Sequence, residues 1–196
     1  MPQILARPGI LDALHQDDSD YVRRSVANHL NDLSRDHPAL VVEVADRWLT
    51  PPSPHTTRLV RHALRTLVKR GDQGALALLG FRSTAVKTDG PVLSHSIVPF
   101  GGELQFSATV TNRGPEPARL AIDYVIHHRK ANGGQSAKTF KLTVCTLAAG
   151  ETLTLERRHS FRPISTRRYH PGEHGVSLQV NGVPTGTVAF ELTSPV

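Results

Sequence analysis

The sequence predicts two parts with different grammar: all-α helical repeats over residues 1–80, then an all-β immunoglobulin-like sandwich over residues 81–196. Three observations predict this. Apolar residues recur at helical spacing up to Gly80 and alternate beyond it. Turn-forming Gly, Asn and Pro punctuate the second part at short, regular intervals. Charge divides at the same place, with 10 basic and 9 acidic residues up to residue 80 and 13 basic and 8 acidic after it.

The helical elements follow in order. Ile10, Leu11 and Leu14 make a short amphipathic turn. Ser19 or Asp20 caps a helix running to about Arg35, with Val22, Val26, Leu30 and Leu33 on one face. Asp36 caps the next, Pro38 stands near its first position, and Leu40, Val41, Val44, Ala45 and Trp48 line it. The run Thr50-Pro51-Pro52-Ser53-Pro54 is a break. A helix over 54–70 follows, with Leu59, Val60, Ala63, Leu64, Leu67 and Val68 inward and Gly71 as its stop. A short helix over 74–79 ends the set. Short helices with tight joints read as helix-pair repeats, 20–35 with 38–49 and 54–70 with 74–79. Two repeats with almost no leading cap imply the C-terminal part of a longer solenoid.

The strand part shows alternation in Leu104/Phe106/Ala108/Val110, Leu120/Ile122/Tyr124/Ile126, Phe140/Leu142/Val144, Leu153/Leu155, Val176/Leu178/Val180 and Val188/Phe190/Leu192. Gly101-Gly102, Asn132-Gly133-Gly134, Ala149-Gly150 and Asn181-Gly182 are among the turns between them. About seven short strands in this span suit a sandwich.

Composition excludes several classes. The chain of 196 residues has 23 Lys+Arg against 17 Asp+Glu, a net charge of +6 that favours a polyanionic partner. No apolar run approaches the roughly 20 residues of a membrane span, and the first residues lack the order of a secretory signal, so a cytoplasmic chain is expected. The lone Cys145 leaves no internal disulfide and no Cys-based zinc site. The 11 histidines show no metal-ligand spacing; His55 and His62 are seven apart, and His127 and His128 fall on opposite faces of a strand. No metal is expected.

Two stripes could carry chemistry. On the 20–35 helix, Arg24, Asn28, Asn31, Asp32 and Arg35 lie opposite the apolar face. This is either a solvated surface or a groove that meets a polyanion and offers one carboxylate. On the 54–70 helix, Arg58, Arg61, Arg65 and Lys69 form an all-basic stripe without an acid in the helix, which suits phosphate contact. The strand part adds three basic clusters: His127-His128-Arg129-Lys130, Arg157-Arg158-His159 and Arg167-Arg168-Tyr169-His170. Loop-borne Arg167 and Arg168 with Tyr169 suit a backbone or minor-groove contact; ordinary solubilising charge is the alternative.

The segment Tyr21-Val22-Arg23-Arg24-Ser25-Val26-Ala27-Asn28-His29-Leu30-Asn31-Asp32-Leu33 resembles a signature of bacterial DNA alkylation repair proteins. So does Val60-Arg61-His62-Ala63-Leu64-Arg65-Thr66-Leu67-Val68-Lys69-Arg70-Gly71, followed by Ala75-Leu76-Ala77-Leu78-Leu79-Gly80. The resemblance is to the AlkC type of HEAT-like-repeat DNA glycosylase, whose repeats precede an immunoglobulin-like domain. Arg167 to His174 and Leu178 to Gly182 resemble that domain. The resemblance implies all-α HEAT-like helical repeats followed by an all-β immunoglobulin-like sandwich. It implies excision of cationic alkylated bases, 3-methyladenine and 3-methylcytosine, from double-stranded DNA. Asp32 would be the catalytic carboxylate, and Asn28 and Asn31 would orient it or contact DNA. Arg24, Arg35, Arg58, Arg61, Arg65, Lys69, Arg167, Arg168 and Tyr169 would hold DNA. A monomer without cofactor, nucleoid-associated when bound, would suffice. Family members carry further repeats ahead of this point, with a motif resembling Trp-x-Ser-Glu-Gly-x-Arg-Pro-Arg that supplies a second acid. This sequence lacks that motif. A DNA-binding module without catalysis, and a protein-interaction adaptor, are the competing expectations.

Overall fold

The computed structural model describes residues 9–82 and 85–194. The outer ends of the two expected domains, residues 1–8 and 195–196, and residues 83–84 lie outside that set. The chain divides into two compact units, Met1–Gly80 and Phe81–Val196.

The first unit holds six helices: α1 (Gly9–Leu14), α2 (Asp20–Leu33), α3 (Pro38–Trp48), α4 (Pro54–Ala63), α5 (Arg65–Arg70) and α6 (Gln73–Leu78). Val26, Ala27 and Leu30 of α2, Val41, Ala45 and Trp48 of α3, Leu59, Val60 and Ala63 of α4, with Leu64 and Leu67, form one core. His37 rather than Asp36 stands at the N-cap of α3. Ser53 caps α4 by accepting from the Thr56 N–H at 3.1 Å, and Gly71 ends α5 in the left-handed region at φ 78°.

α1 is held to α3 by polar contacts. The Asp12 carboxylate accepts from Trp48 Nε1 at 2.6 Å and from Arg47 Nη2 at 3.0 Å, and the His15 ring stacks on Trp48 at 4.6 Å. Burial raises the Asp12 pKa, but the Trp48 and Arg47 hydrogen bonds and the Arg47 charge outweigh it, so the carboxyl titrates below its usual value. Asp12→Ala leaves the buried indole N–H without this acceptor. It is expected to cost about 1–2 kcal/mol and to shift Trp48 emission to the red as α1 loosens. An unchanged emission maximum and urea midpoint would refute the clamp.

The second unit has nine strands: β1 (Val86–Leu93), β2 (Ile97–Val98), β3 (Glu103–Asn112), β4 (Ala118–Arg129), β5 (Gln135–Leu147), β6 (Thr152–Ser160), β7 (Gly172–Val180), β8 (Val183–Pro184) and β9 (Val188–Leu192). One sheet has the order β1-β3-β6. The other runs β2-β9-β7-β4-β5, with β8 on β7. All pairs are antiparallel except β2 with β9, which is parallel. Leu104, Phe106 and Ala108 of one sheet meet Tyr124, Ile126, Val176, Leu178, Phe190 and Leu192 of the other in a shared core. A second cluster, around Val110, Leu120, Ile122 and Leu147, continues it.

This corrects the expected fold class, all-α HEAT-like helical repeats followed by an all-β immunoglobulin-like sandwich. The described residues form six short helices and two sheets, and the first part is not a run of helical repeats. The expected 54–70 helix stops at Ala63 and restarts at Arg65, and α1, α5 and α6 have 6 residues each. The expected first pair, α2 with α3, is not the main contact, since α2 packs chiefly on α4 and α3 on α6. The break has a physical cause. Asn31 Oδ1, from α2, accepts from the Thr66 N–H at 3.2 Å. It satisfies an orphan donor of a second helix start, which the N-cap Leu64 has no side-chain group to satisfy. No helix among the described residues is long and apolar enough to cross a membrane.

Candidate nucleic-acid interface

The paired helices α2 and α4 leave a cleft of about 240 Å³ between them. Asp20, Arg23, Arg24 and Ala27 line one wall, and His55, Arg58, Leu59 and His62 the other. Ala27 and Leu59 are buried and form its apolar floor. Helical spacing places these groups, since His55, Arg58 and His62 recur at steps of three and four along α4.

The two arginines of α2 do different work. Arg23 is buried, and its guanidinium donates to the Asp17 carbonyl, to the Asp18 carbonyl at 2.9 Å and to Asp20 Oδ1 at 3.1 Å. It ties down the loop before α2. Arg24 is exposed. No hydrogen bond or ion pair from its side chain to another described residue is present, and the same holds for the exposed Arg35, Arg58 and Arg61. Four guanidinium groups are therefore open to an external anion.

The asparagines differ as well. Asn31 is buried at the α5 joint through its bond to the Thr66 N–H, away from the open face. Asn28 is exposed, and its Oδ1 faces His62 Nε2 at 2.9 Å and Arg65 Nη2 at 3.2 Å. Arg65 Nη1 also donates to the His62 carbonyl at 2.7 Å, so Arg65 is half-buried and engaged within the protein. Lys69 is exposed and has interactions of its own. The basic stripe is thus split, with Arg58 on the cleft wall, Arg61 exposed beyond the cleft lining, and Arg65 braced against Asn28. Asp32 is exposed one turn beyond Asn28, with its carboxylate unpaired among the described residues.

The sequence reading missed His55 and His62 as members of this surface. The signal was present, because His55, Arg58, His62 and Arg65 form their own stripe, one step round from the stripe through Arg61. Burial first, then the Arg65 and Arg24 charges, lower the His62 pKa from its ordinary 6.5, so the ring is neutral at pH 7.

In the strand unit, two of the three basic clusters come together. Arg129 and Lys130, at the end of β4, share a shallow depression of about 210 Å³ with Arg167, Arg168 and His170. Arg168 is exposed and Arg167 half-buried. Tyr169 is 9% exposed and packs on Phe161, with ring centroids 5.2 Å apart, so it is part of the core and not a free loop aromatic. Arg157 and Arg158 lie elsewhere, beside Glu156 and Gln105.

His128, His159 and His174 are all buried in this unit. Among the described residues His128 has no partner at either ring nitrogen and His159 none at Nε2, while His159 Nδ1 meets the Tyr124 hydroxyl at 3.1 Å. Among the described residues no group of three or more His, Cys, Asp or Glu is arranged to hold a metal ion.

A helical unit with an open basic cleft, joined in sequence to two facing sheets, defines the class: a helical segment with an immunoglobulin-like C-terminal domain. Residues 87–194 match the family described as "Uncharacterised protein YhaZ, C-terminal Ig-like domain". The chain belongs to the YhaZ family. It is 37% identical over 184 residues to the protein YhaZ of Bacillus subtilis strain 168, covering 93% of this chain and 51% of that one. Among solved structures it resembles the alkylpurine DNA glycosylase AlkC of Pseudomonas fluorescens, bound to DNA containing an abasic site analog. That match has a TM-score of 0.89 and 39% identity, covering 96% of this chain and 52% of AlkC. A β-glucosidase from Listeria innocua matches at a TM-score of 0.50 and 16% identity, covering 60% of this chain and 17% of the enzyme, a likeness of fold alone. The chain spans about half the length of the relatives it matches.

Proposed function

We propose that this chain is a DNA alkylation repair protein of the glycosylase class. It binds double-stranded DNA and contributes to hydrolysis of the N-glycosidic bond of cationic alkylated bases such as 3-methyladenine and 3-methylcytosine. The observation that carries this reading is the 39% identity to AlkC, itself bound to abasic-site DNA, over 96% of the chain. The cleft supports it: Arg24 and Arg58 stand on its walls unpaired among the described residues, Arg35 and Arg61 are exposed beyond the lining, and Asp32 is exposed on α2.

The chemistry asks little of the protein. Alkylation places a positive charge on the base, so the electron pair of the breaking C1′–N bond neutralises it and the base leaves as a neutral group. The sugar is left as an oxocarbenium-like cation. Asp32, an exposed carboxylate on the helix that carries Arg24, would stabilise that cation. A water adds its oxygen to C1′, and its proton passes to the carboxylate or to solvent. Arg24, Arg35, Arg58 and Arg61 hold the backbone. Arg65 braces Asn28 beside them and Lys69 adds to that contact, while Arg167 and Arg168 are DNA contacts of the strand unit. Asn31 and Tyr169 act through the fold. No cofactor enters this scheme, and the protein would work in the cytoplasm as a monomer on the nucleoid.

Salt dependence tests the backbone contacts. Each phosphate neutralised contributes about −0.9 to the slope of log K against log salt. Arg58→Ala and Arg61→Ala are each expected to flatten that slope by roughly 1 and to weaken binding without sequence preference. Slopes equal to the parent's in both variants would remove these residues from the interface. Base release from DNA carrying 3-methyladenine or 3-methylcytosine tests the reaction. Salt-sensitive binding without release would assign this chain DNA binding alone. An adaptor role would show neither.

A further inference from the structure

The orientation of Asn28 is decided by chemistry and not by the outline of its amide. Arg65 Nη2 lies 3.2 Å from the Asn28 amide, and a guanidinium has only donors. The atom facing it must therefore be the oxygen. His62 Nε2 meets that same oxygen at 2.9 Å, so Nε2 carries the hydrogen and donates. His62 is itself held, because Arg65 Nη1 donates to its backbone carbonyl at 2.7 Å. With its oxygen occupied twice from α4 and α5, Asn28 turns its Nδ2 amide away from them. That amide has no partner among the described residues, and Asn28 is exposed one helical turn before Asp32.

We propose that His62 is a positioning residue that, with Arg65, locks Asn28 with its Nδ2 amide presented to the DNA strand as a hydrogen-bond donor beside Asp32. The acceptor is an anionic or neutral oxygen of the sugar–phosphate backbone, the chemistry an exposed primary amide serves. This inference rests on the DNA reading above. An imidazole that only added positive charge would not need a bond to Asn28, and a merely structural imidazole would not need a partner on the open face.

The experiment is a double-mutant cycle on the full chain, read as affinity for a duplex with an abasic-site analog at fixed salt. His62→Leu removes the donor and is expected to weaken binding roughly 5-fold, the effect of about one hydrogen bond. His62→Gln keeps an N–H of similar reach and should restore affinity to within about 2-fold of the parent. In an Asn28→Ala background, His62→Leu should change nothing further. Long-range nitrogen–proton NMR should find the His62 hydrogen on Nε2 in the parent chain and lose that preference in Asn28→Ala. Additive effects, or a Gln variant as weak as Leu, overturn the inference while leaving the DNA reading intact. A parent chain that shows no salt-dependent DNA binding overturns the DNA reading, and this inference with it.

Discussion

Asp32→Asn is expected to lower base release by roughly 10²–10³-fold, the loss typical of removing one group that stabilises transition-state charge, while DNA affinity holds or rises. The two halves of the result have one cause. The amide keeps the shape of the carboxylate but cannot oppose the positive charge that develops on the sugar. It also removes a carboxylate that is unpaired among the described residues, so repulsion of the DNA phosphates falls. Asp32 is exposed and unpaired among the described residues, so little folding stability depends on it. The measurement is single-turnover release of 3-methyladenine by the parent and the variant, beside their affinity for abasic-site duplex. Release at the parent's rate would remove Asp32 from the chemistry. A loss of release matched by a loss of affinity would make it a binding residue.

The second large effect concerns the strand unit. Burial lowers the His128 pKa to about 3, with Arg167 and then the neighbouring histidines pushing the same way. Burial lowers that of His159 to about 4, with Arg167 and Arg157 adding to it. Both rings are therefore neutral when folded and take a proton near pH 6.5 when unfolded. Between those values the unfolded chain binds more protons, so stability rises with pH. It is complete above about pH 6.5 and is lost as pH falls towards 4 and then 3. For the pair, the loss near pH 5 is expected to reach about 2–3 kcal/mol per pH unit. The readout is hydrogen exchange at the β4 and β7 amides between pH 7 and 5. His128→Phe and His159→Phe should each flatten the decline by about half. A decline as steep in both variants as in the parent would assign it to other groups.

These histidines show what was legible and what was not. Alternation identified Leu104, Phe106, Ala108 and Val110, and Leu120, Ile122, Tyr124 and Ile126, as residues that prove buried. The same two-residue step carried on from Ile126 reaches His128, and carried back from Val176 reaches His174. His128 stands in a run that its residue types mark as basic surface, although the register of both histidines points to the core. The same habit set Tyr169 among loop residues that contact DNA, whereas it packs on Phe161. Alternation weakened where it had less to report. Val144 of β5 is 39% exposed because the β4–β5 ladder shifts register between Ile122 and Asp123, which sets Cys145, not Val144, opposite the buried Leu120. Strands β2 and β8 have 2 residues each, too few to alternate.

The order of residues alone placed most of the apolar side chains that face inward, the change of grammar from helical to alternating, and the exposed positions of Arg24, Asp32, Arg58 and Arg61. These follow from period and polarity, which are local properties of the chain. The tertiary structure alone decided that the 54–70 segment breaks at Leu64, that Asn31 closes the break, that Arg65 and His62 turn to Asn28, and that α2 pairs with α4 instead of making a repeat with α3. Each of these depends on a hydrogen bond or packing contact between residues more than thirty positions apart. A pattern of neighbours carries no record of such a partner. Hydrogen-bond satisfaction in the folded chain selects it.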